Sequence, residues 1–159
     1  MKHITYSSIE KAIGIIDNLD DDGLEQIAEK YALEQPVLMG YAMSAASEYE
    51  NEELEGLLIY YFCLIIEAFK QEGAALNKIE EDLIDTFEEP FFEMLDAYFE
   101  NDDDEIIEDF CDQPHLTGFM AMEISEPDED GTELDDDTAS QLFIVALAMI
   151  TLLSRSIKA

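Results

Sequence analysis

Residues 57–66 of this 159-residue chain read Leu-Leu-Ile-Tyr-Tyr-Phe-Cys-Leu-Ile-Ile, a stretch without a charged residue. A helix with this sequence is apolar on every side, which is typical of a helix buried at the centre of a fold. A second stretch, Leu142 to Leu153, is apolar apart from Thr151. It is shorter than the about 20 residues that a bilayer crossing needs, so we expect a core helix there too.

Helical spacing of apolar residues surrounds both stretches. Ile9, Ala12, Ile13 and Ile16 share one helix face, and Asn51 can cap the helix that carries residues 57–66. The chain is therefore predicted to be all-α, a compact bundle of about eight to nine helices that forms a single helical domain over residues 1–159.

A seven-residue motif occurs twice. Gln35-Pro36-Val37-Leu38-Met39-Gly40-Tyr41 returns 78 residues later as Gln113-Pro114-His115-Leu116-Thr117-Gly118-Phe119, with four identities and one aromatic pair. Apolar helix positions and a run of three aspartates recur at a spacing of 82. We interpret the motif residues as structural, and we expect Gly40 and Gly118 to let two helices approach so closely that a side chain would collide.

These recurrences predict a tandem duplication of a four-helix unit. The first copy covers about residues 7–71 and the second about residues 90–155, where Pro90 is expected to open a new helix. A separate bridging helix is predicted at about residues 75–88. We expect the two apolar stretches, one from each copy, to pack as the centre of the bundle.

The charge of the chain limits its partners. Forty Asp and Glu residues stand against seven Lys and Arg residues, a formal net charge of −33. Nucleic-acid binding needs a basic surface, and an anionic membrane would repel this chain, so neither is expected. The plausible partners are cationic, and a basic protein is the partner that we predict.

Three aspartate runs lie where helices are predicted to begin. Carboxylates are favourable there because they face the positive end of the helix dipole. A duplicated bundle would present the first two runs in related positions, so we predict them as partner-binding clusters. Their members are Asp20, Asp21, Asp22, Asp102, Asp103, Asp104, Asp135, Asp136 and Asp137.

One acidic loop partly matches an EF-hand. Glu126, Asp128, Asp130 and Asp137 fall at ligand positions, but the first ligand is usually Asp and the last usually a bidentate Glu. We therefore expect weak binding of a divalent cation such as calcium at most, with no dedicated metal site and no cofactor.

Signatures of catalysis are missing from the sequence. It contains no Gly-x-Ser-x-Gly elbow and no phosphate-binding Gly-x-x-x-x-Gly-Lys-Ser/Thr loop. Its two histidines, His3 and His115, do not follow a Glu by three residues, as a di-iron bundle requires. Cys63 and Cys111 are expected to be buried, reduced thiols. No catalytic residue is predicted, and with no hydrophobic leader at residues 1–5 we expect a cytoplasmic protein.

These observations favour a non-enzymatic interaction module that binds a basic partner, as an inhibitor, an immunity-type neutraliser or a mimic would. Two alternatives stay open. The acidity can serve solubility alone, or the chain can be a weak calcium-binding protein.

Overall fold

The computed structural model describes residues 3–125 and 136–158, which form eight α-helices without a β-sheet in those two ranges. The all-α class predicted from the apolar spacing is confirmed. In chain order the helices are α1 (Tyr6–Asp17), α2 (Asp21–Glu34), α3 (Pro36–Glu48), α4 (Glu52–Gln71), α5 (Glu81–Asn101), α6 (Asp104–Cys111), α7 (Pro114–Ser125) and α8 (Asp136–Arg155).

The centre of the fold is a pair of apolar helices, α4 and α8, which pack against each other. Every residue of α4 from Tyr61 to Phe69 is buried, as is every residue of α8 from Val145 to Ser154. By length and hydropathy α8 could cross a membrane, but 67 % of its apolar window is buried inside the fold. Both apolar stretches are therefore core helices, as predicted.

Polar side chains cap the helices at their first turns. Asp20 accepts a hydrogen bond from the Gly23 amide at 2.7 Å, and Asn51 accepts one from the Leu54 amide at 3.2 Å. Asp103 accepts one from the Glu105 amide at 3.0 Å. Each such cap stabilises its helix by about 1 kcal/mol. The predicted starts of α2, α4 and α6 are confirmed.

The predicted bridging helix at about 75–88, with a new helix opened by Pro90, is wrong. α5 runs without a break from Glu81 to Asn101 and has Pro90 inside it. A proline inside a helix costs about 3 kcal/mol. Phe87 and Phe91, both fully buried, stack across that point with their ring centroids 4.7 Å apart. Burying two such rings is worth roughly 3–6 kcal/mol, enough to offset the proline.

The expected close approach at Gly40 and Gly118 is also wrong. Apart from its chain neighbours and its own helix backbone, a Cβ atom built on either residue meets no described atom within 4 Å. Gly40 lines a cavity between α3 and α5, and Gly118 lines a smaller cavity of about 180 Å³ beside α6. The repeated glycines therefore face open space and do not mediate helix packing.

Candidate binding groove

A cavity of about 600 Å³ separates α3 from α5. Ile144 and Val145 of α8 form its apolar floor, and Gly40, Ser44 and Ala45 give α3 a wall of small residues. The two helices, both described over their whole length, make at most a weak contact with each other, although each contacts α8. We call this cavity the α3/α5 groove.

The rim of the α3/α5 groove is acidic. Glu81, Asp85 and Glu88 line it from α5, and Glu48 lines it from α3. Spacings of four and three residues put the three α5 carboxylates on one helix face. None of the described residues that line the groove is Lys, Arg or His. The groove therefore has a negative potential that nothing in its own lining offsets.

Aromatic side chains complete the lining. Tyr49 is 40 % exposed and Phe92 is 50 % exposed, although both are large. Burial, together with nearby Glu88, Tyr49 and Glu48, raises the pKa of the half-buried Tyr41 to about 12. Exposed aromatic side chains beside a concave surface are typical of a binding site, because such rings anchor protein partners.

The groove depends on the continuity of α5. Glu81, Asp85, Glu88 and Phe92 follow one another at intervals of four, three and four residues, so they form one stripe along a single helix. The sequence interpretation ended one helix before Pro90 and therefore put Phe92 on a different helix from the three carboxylates. For this reason the stripe was not predicted, although the four residues have a regular helical spacing.

The predicted aspartate clusters lie elsewhere. Asp20 and Asp103 are helix caps, and Asp102 ends α5 with a left-handed backbone at φ 51°. Asp136 and Asp137 lie in the first turn of α8, as Asp21, Asp22 and Asp104 do in their helices, and Asp135 lies outside the described residues. None of the eight described members lines the α3/α5 groove.

Metal and thiol chemistry find no support in the described part of the chain. Glu126, Asp128 and Asp130 of the EF-hand-like loop lie outside it, and in residues 3–125 and 136–158 no three His, Cys, Asp or Glu side chains converge as metal ligands would. Both cysteines are buried. Burial raises the pKa of Cys63 to about 12 and that of Cys111 to about 11, so both thiols stay protonated at neutral pH.

One carboxylate, Glu67, is almost fully buried beneath α2. It accepts hydrogen bonds from the Tyr31 hydroxyl and, at 2.9 Å, from Gln71 Nε2. Burial and the Glu67 carboxylate raise the pKa of Tyr31 well above its usual value. Lys70 lies 4.7 Å above the Tyr31 ring and pairs with Glu34 at 2.8 Å. These groups satisfy one another, which is typical of a structural polar cluster.

The two glutamines of the repeated motif have matching roles. Gln35 Oε1 accepts a hydrogen bond from the Ile79 amide at 2.9 Å, just before α5. Gln113 Oε1 accepts one from the Ile4 amide at 2.8 Å, just before α1. Both glutamines are buried, as are Ile4 and Ile79. Each motif therefore holds the start of a helix that belongs to the other half of the chain.

The rest of the motif is also structural. Pro36 and Pro114 are the first residues of α3 and α7, Leu38 and Leu116 are buried, and Phe119 is buried where Tyr41 lines the groove.

Comparison with protein families, with curated proteins and with solved structures gave no match to this chain. The α3/α5 groove is thus the feature from which a function can be derived.

Proposed function

We propose that the chain is a non-enzymatic protein–protein interaction module and that a basic protein binds at its α3/α5 groove. The single observation that carries this proposal is the combination found there. Four carboxylates and exposed aromatic rings line one concave surface, and its described lining contains no cationic side chain. Cationic groups of a partner would supply the missing positive charge.

Charge and apolar surface contribute differently to such binding. An acidic surface steers a basic partner and raises the association rate by about 10–10³-fold at low salt. Affinity comes mainly from a few buried anchors, for which Tyr49, Phe92 and the floor at Ile144 are the candidates. An inhibitor, an immunity-type neutraliser or a mimic would use both contributions, and we place this binding in the cytoplasm.

The groove also favours binding over the solubility alternative. Charge that serves solubility alone needs no concave surface that combines carboxylates with exposed aromatic rings. Phe92 follows the acidic row on the same face of α5 and is half exposed.

The proposal includes a tandem duplication, so that the groove is a difference between two related halves of the molecule. Support comes from the reciprocal hydrogen bonds of Gln35 and Gln113 and from the prolines that open α3 and α7. Matching Ile4 with Ile79 starts the second copy at about residue 79, with α5 as the counterpart of α1. Ile4 and Ile79 are 75 residues apart, whereas the apolar positions of α1 recur in α5 after 82 residues. The seven extra residues of α5 are about two helical turns, so the same face of the helix stays buried.

Affinity capture with two matched variants tests the proposal. The groove variant neutralises the four groove carboxylates as their amides: Glu48→Gln, Glu81→Gln, Asp85→Asn and Glu88→Gln. The control variant removes the same charge from exposed glutamates that do not line the described groove: Glu10→Gln, Glu89→Gln, Glu93→Gln and Glu100→Gln.

The expected result is one stoichiometric basic protein from the source lysate, retained by the wild type and the control, released as salt rises, and lost from the groove variant. The purified partner should then bind the purified wild type and the control variant more tightly than it binds the groove variant. Equal loss from both variants would show that only total charge matters, and the absence of any stoichiometric basic protein on the wild type would contradict the proposal outright.

A further inference from the structure

We infer that the segment that binds the α3/α5 groove is a basic amphipathic helix. It lies along the groove with apolar side chains toward α8 and Lys or Arg side chains toward the acidic row of α5. This inference rests on the proposed function and names the kind of segment that the basic partner presents.

The other half of the molecule shows a helix at the corresponding face. There α1 packs against α7, and the Tyr6 ring lies 4.6 Å from the His115 ring. In the repeated motif His115 corresponds to Val37, and matching the starts of α1 and α5 makes Tyr6 correspond to Glu81. Val37 and Glu81 both line the groove.

The difference between Tyr6 and Glu81 at these matched positions can account for the open groove. A carboxylate that packed against valine would lose its hydration without gaining a partner, so Glu81 opposes closure of α5 onto α3. The groove leaves part of the α3 face that carries the motif uncovered. A helix from a partner can cover it, provided that the helix brings positive charge for Glu81, Asp85 and Glu88.

The spacing of the acidic row also favours a helical partner. Along α5 the three carboxylates are separated by rises of about 6 Å and then about 4.5 Å. Basic residues at positions i, i+4 and i+7 of an adjacent helix have the same two spacings and can pair with all three. An extended segment repeats every two residues at about 6.7 Å and loses register with the row.

The size of the groove limits how deeply the partner enters. A volume of about 600 Å³ holds a few side chains and is too small for a whole helix. The helix therefore lies on the rim and inserts apolar anchors between Tyr49 and Phe92, which is the helix-in-groove mode of recognition. A small polyamine would meet the carboxylates but would leave both exposed rings largely uncovered.

Three synthetic peptides built on Lys, Arg, Leu and Ala test the inference by calorimetry against the full chain. The first has its apolar and basic residues on opposite helix faces, the second is a scrambled peptide of the same composition, and the third is the first with a central alanine replaced by proline. We expect the patterned peptide to bind at least about tenfold more tightly than the other two and to gain helical circular dichroism on binding. Spermine is titrated in parallel.

Two phenylalanines of α5 provide the matched variants. Phe92 lines the groove and is 50 % exposed, whereas Phe99 is 57 % exposed on the same helix and does not line the described groove. Phe92→Ala should weaken binding of the patterned peptide about tenfold, and Phe99→Ala should leave it within about twofold.

The outcomes separate the inference from the proposed function. If the scrambled peptide binds as tightly as the patterned one but is still weakened by Phe92→Ala, the helix is wrong and the groove remains a site for basic proteins. If spermine binds more tightly than any peptide, the occupant is a small cation and the helix is wrong. If no peptide binds, or both alanine variants act alike, the inference and the groove proposal fail together.

Discussion

The two faces that carry the repeated motif differ in whether a helix covers them. On one side α1 packs against α7, with Tyr6 beside His115. On the other side a groove of about 600 Å³ separates α5 from α3, and both Val37 and Glu81 line it. In the proposed correspondence a carboxylate, Glu81, stands at the open face where the other face has the Tyr6 ring, and a carboxylate packed against valine would lose its hydration.

The largest expected effect on stability concerns the buried glutamines Gln35 and Gln113, each of which accepts a hydrogen bond from a backbone amide just before a helix. Gln113→Ala removes the acceptor for the Ile4 amide at 2.8 Å and the donor to Ser154 Oγ at 3.1 Å, in a fully buried position. We expect the free energy of unfolding to fall by about 2–3 kcal/mol, because buried polar groups lose their partners. Denaturant unfolding measures the change.

Gln35→Ala should cause a loss of similar size, because it leaves the Ile79 amide without its acceptor. The exposed Gln26 of α2 is the control, and Gln26→Ala should change stability by less than about 0.5 kcal/mol. A loss below about 0.5 kcal/mol for either buried glutamine would mean that the two motifs do not hold their helix starts in the way described.

Sequence patterns predicted the helices well where the signal was local. Asp20, Asn51 and Asp103 cap helices at the predicted starts. Such signals act within one turn, so no knowledge of the packed fold is needed to use them.

Prediction failed where tertiary packing overrides a local rule. Pro90 ordinarily ends a helix, but the buried stack of Phe87 and Phe91 holds α5 together. Gly40 was expected at a tight helix contact, yet it faces open space. Whether a glycine faces a helix or a cavity is decided by the distance between α3 and α5, which no local pattern encodes.

The candidate site was missed for a related reason. Among forty acidic residues, the four that line the groove have no distinctive local sequence, whereas the aspartate runs are conspicuous. The runs are explained largely by capping and by the helix dipole. The groove carboxylates acquire their importance from the aromatic rings and the apolar floor that other helices place beside them.

The second prediction concerns alkaline pH, since the groove side carries an ionisable ring, Tyr41, where the closed side carries Phe119. Burial and Glu88 raise the pKa of Tyr41 from 10.0 to about 12. Between these two pH values the unfolded chain releases the proton while the folded chain keeps it. This contribution to stability is therefore complete below pH 10 and is lost as the pH rises toward 12.

Tyr41→Phe, which copies the closed side, should lose less stability over that range than the wild type. Urea unfolding at a series of pH values provides the comparison, with both proteins normalised to their stability at neutral pH. The remaining decline should reflect groups such as Tyr61 and Cys111, whose pKa values burial raises to about 12 and about 11. Identical slopes for Tyr41→Phe and wild type would show that Tyr41 titrates as it does in the unfolded chain.

The third prediction concerns a substitution that is expected to close the groove. Glu81→Tyr places on α5 the residue type that Tyr6 provides on α1. We expect the free energy of unfolding to rise by up to about 1 kcal/mol, because partial burial of the ring beside Val37 exceeds the lost interaction of the carboxylate with the helix dipole, although Tyr6 itself is 57 % exposed. Calorimetry should also show weaker binding of the patterned basic peptide.

Glu81→Gln is the matched control, since it removes the charge without adding a ring. It should lower stability slightly, by up to about 0.5 kcal/mol, through the lost dipole interaction. If Glu81→Tyr is no more stable than Glu81→Gln, the carboxylate opposite Val37 is not what keeps α3 and α5 apart.

The smallest expected effect separates stability from binding at the repeated glycines. Gly40→Ala in α3 and Gly118→Ala in α7 each add a methyl group that meets no described atom within 4 Å beyond the chain neighbours and its own helix backbone. Each should raise the free energy of unfolding by about 0.5–1 kcal/mol, because alanine favours the helix over glycine.

Their effects on binding should differ, because only Gly40 lines the α3/α5 groove. Gly40→Ala narrows the wall against which the partner helix lies, so the patterned peptide should bind it more weakly than it binds Gly118→Ala. A protein that becomes more stable while it binds less well would indicate that the glycine at this wall serves the interaction rather than the fold. Equal affinity of the two variants would instead mean that the peptide contacts α5 and α8 but not α3.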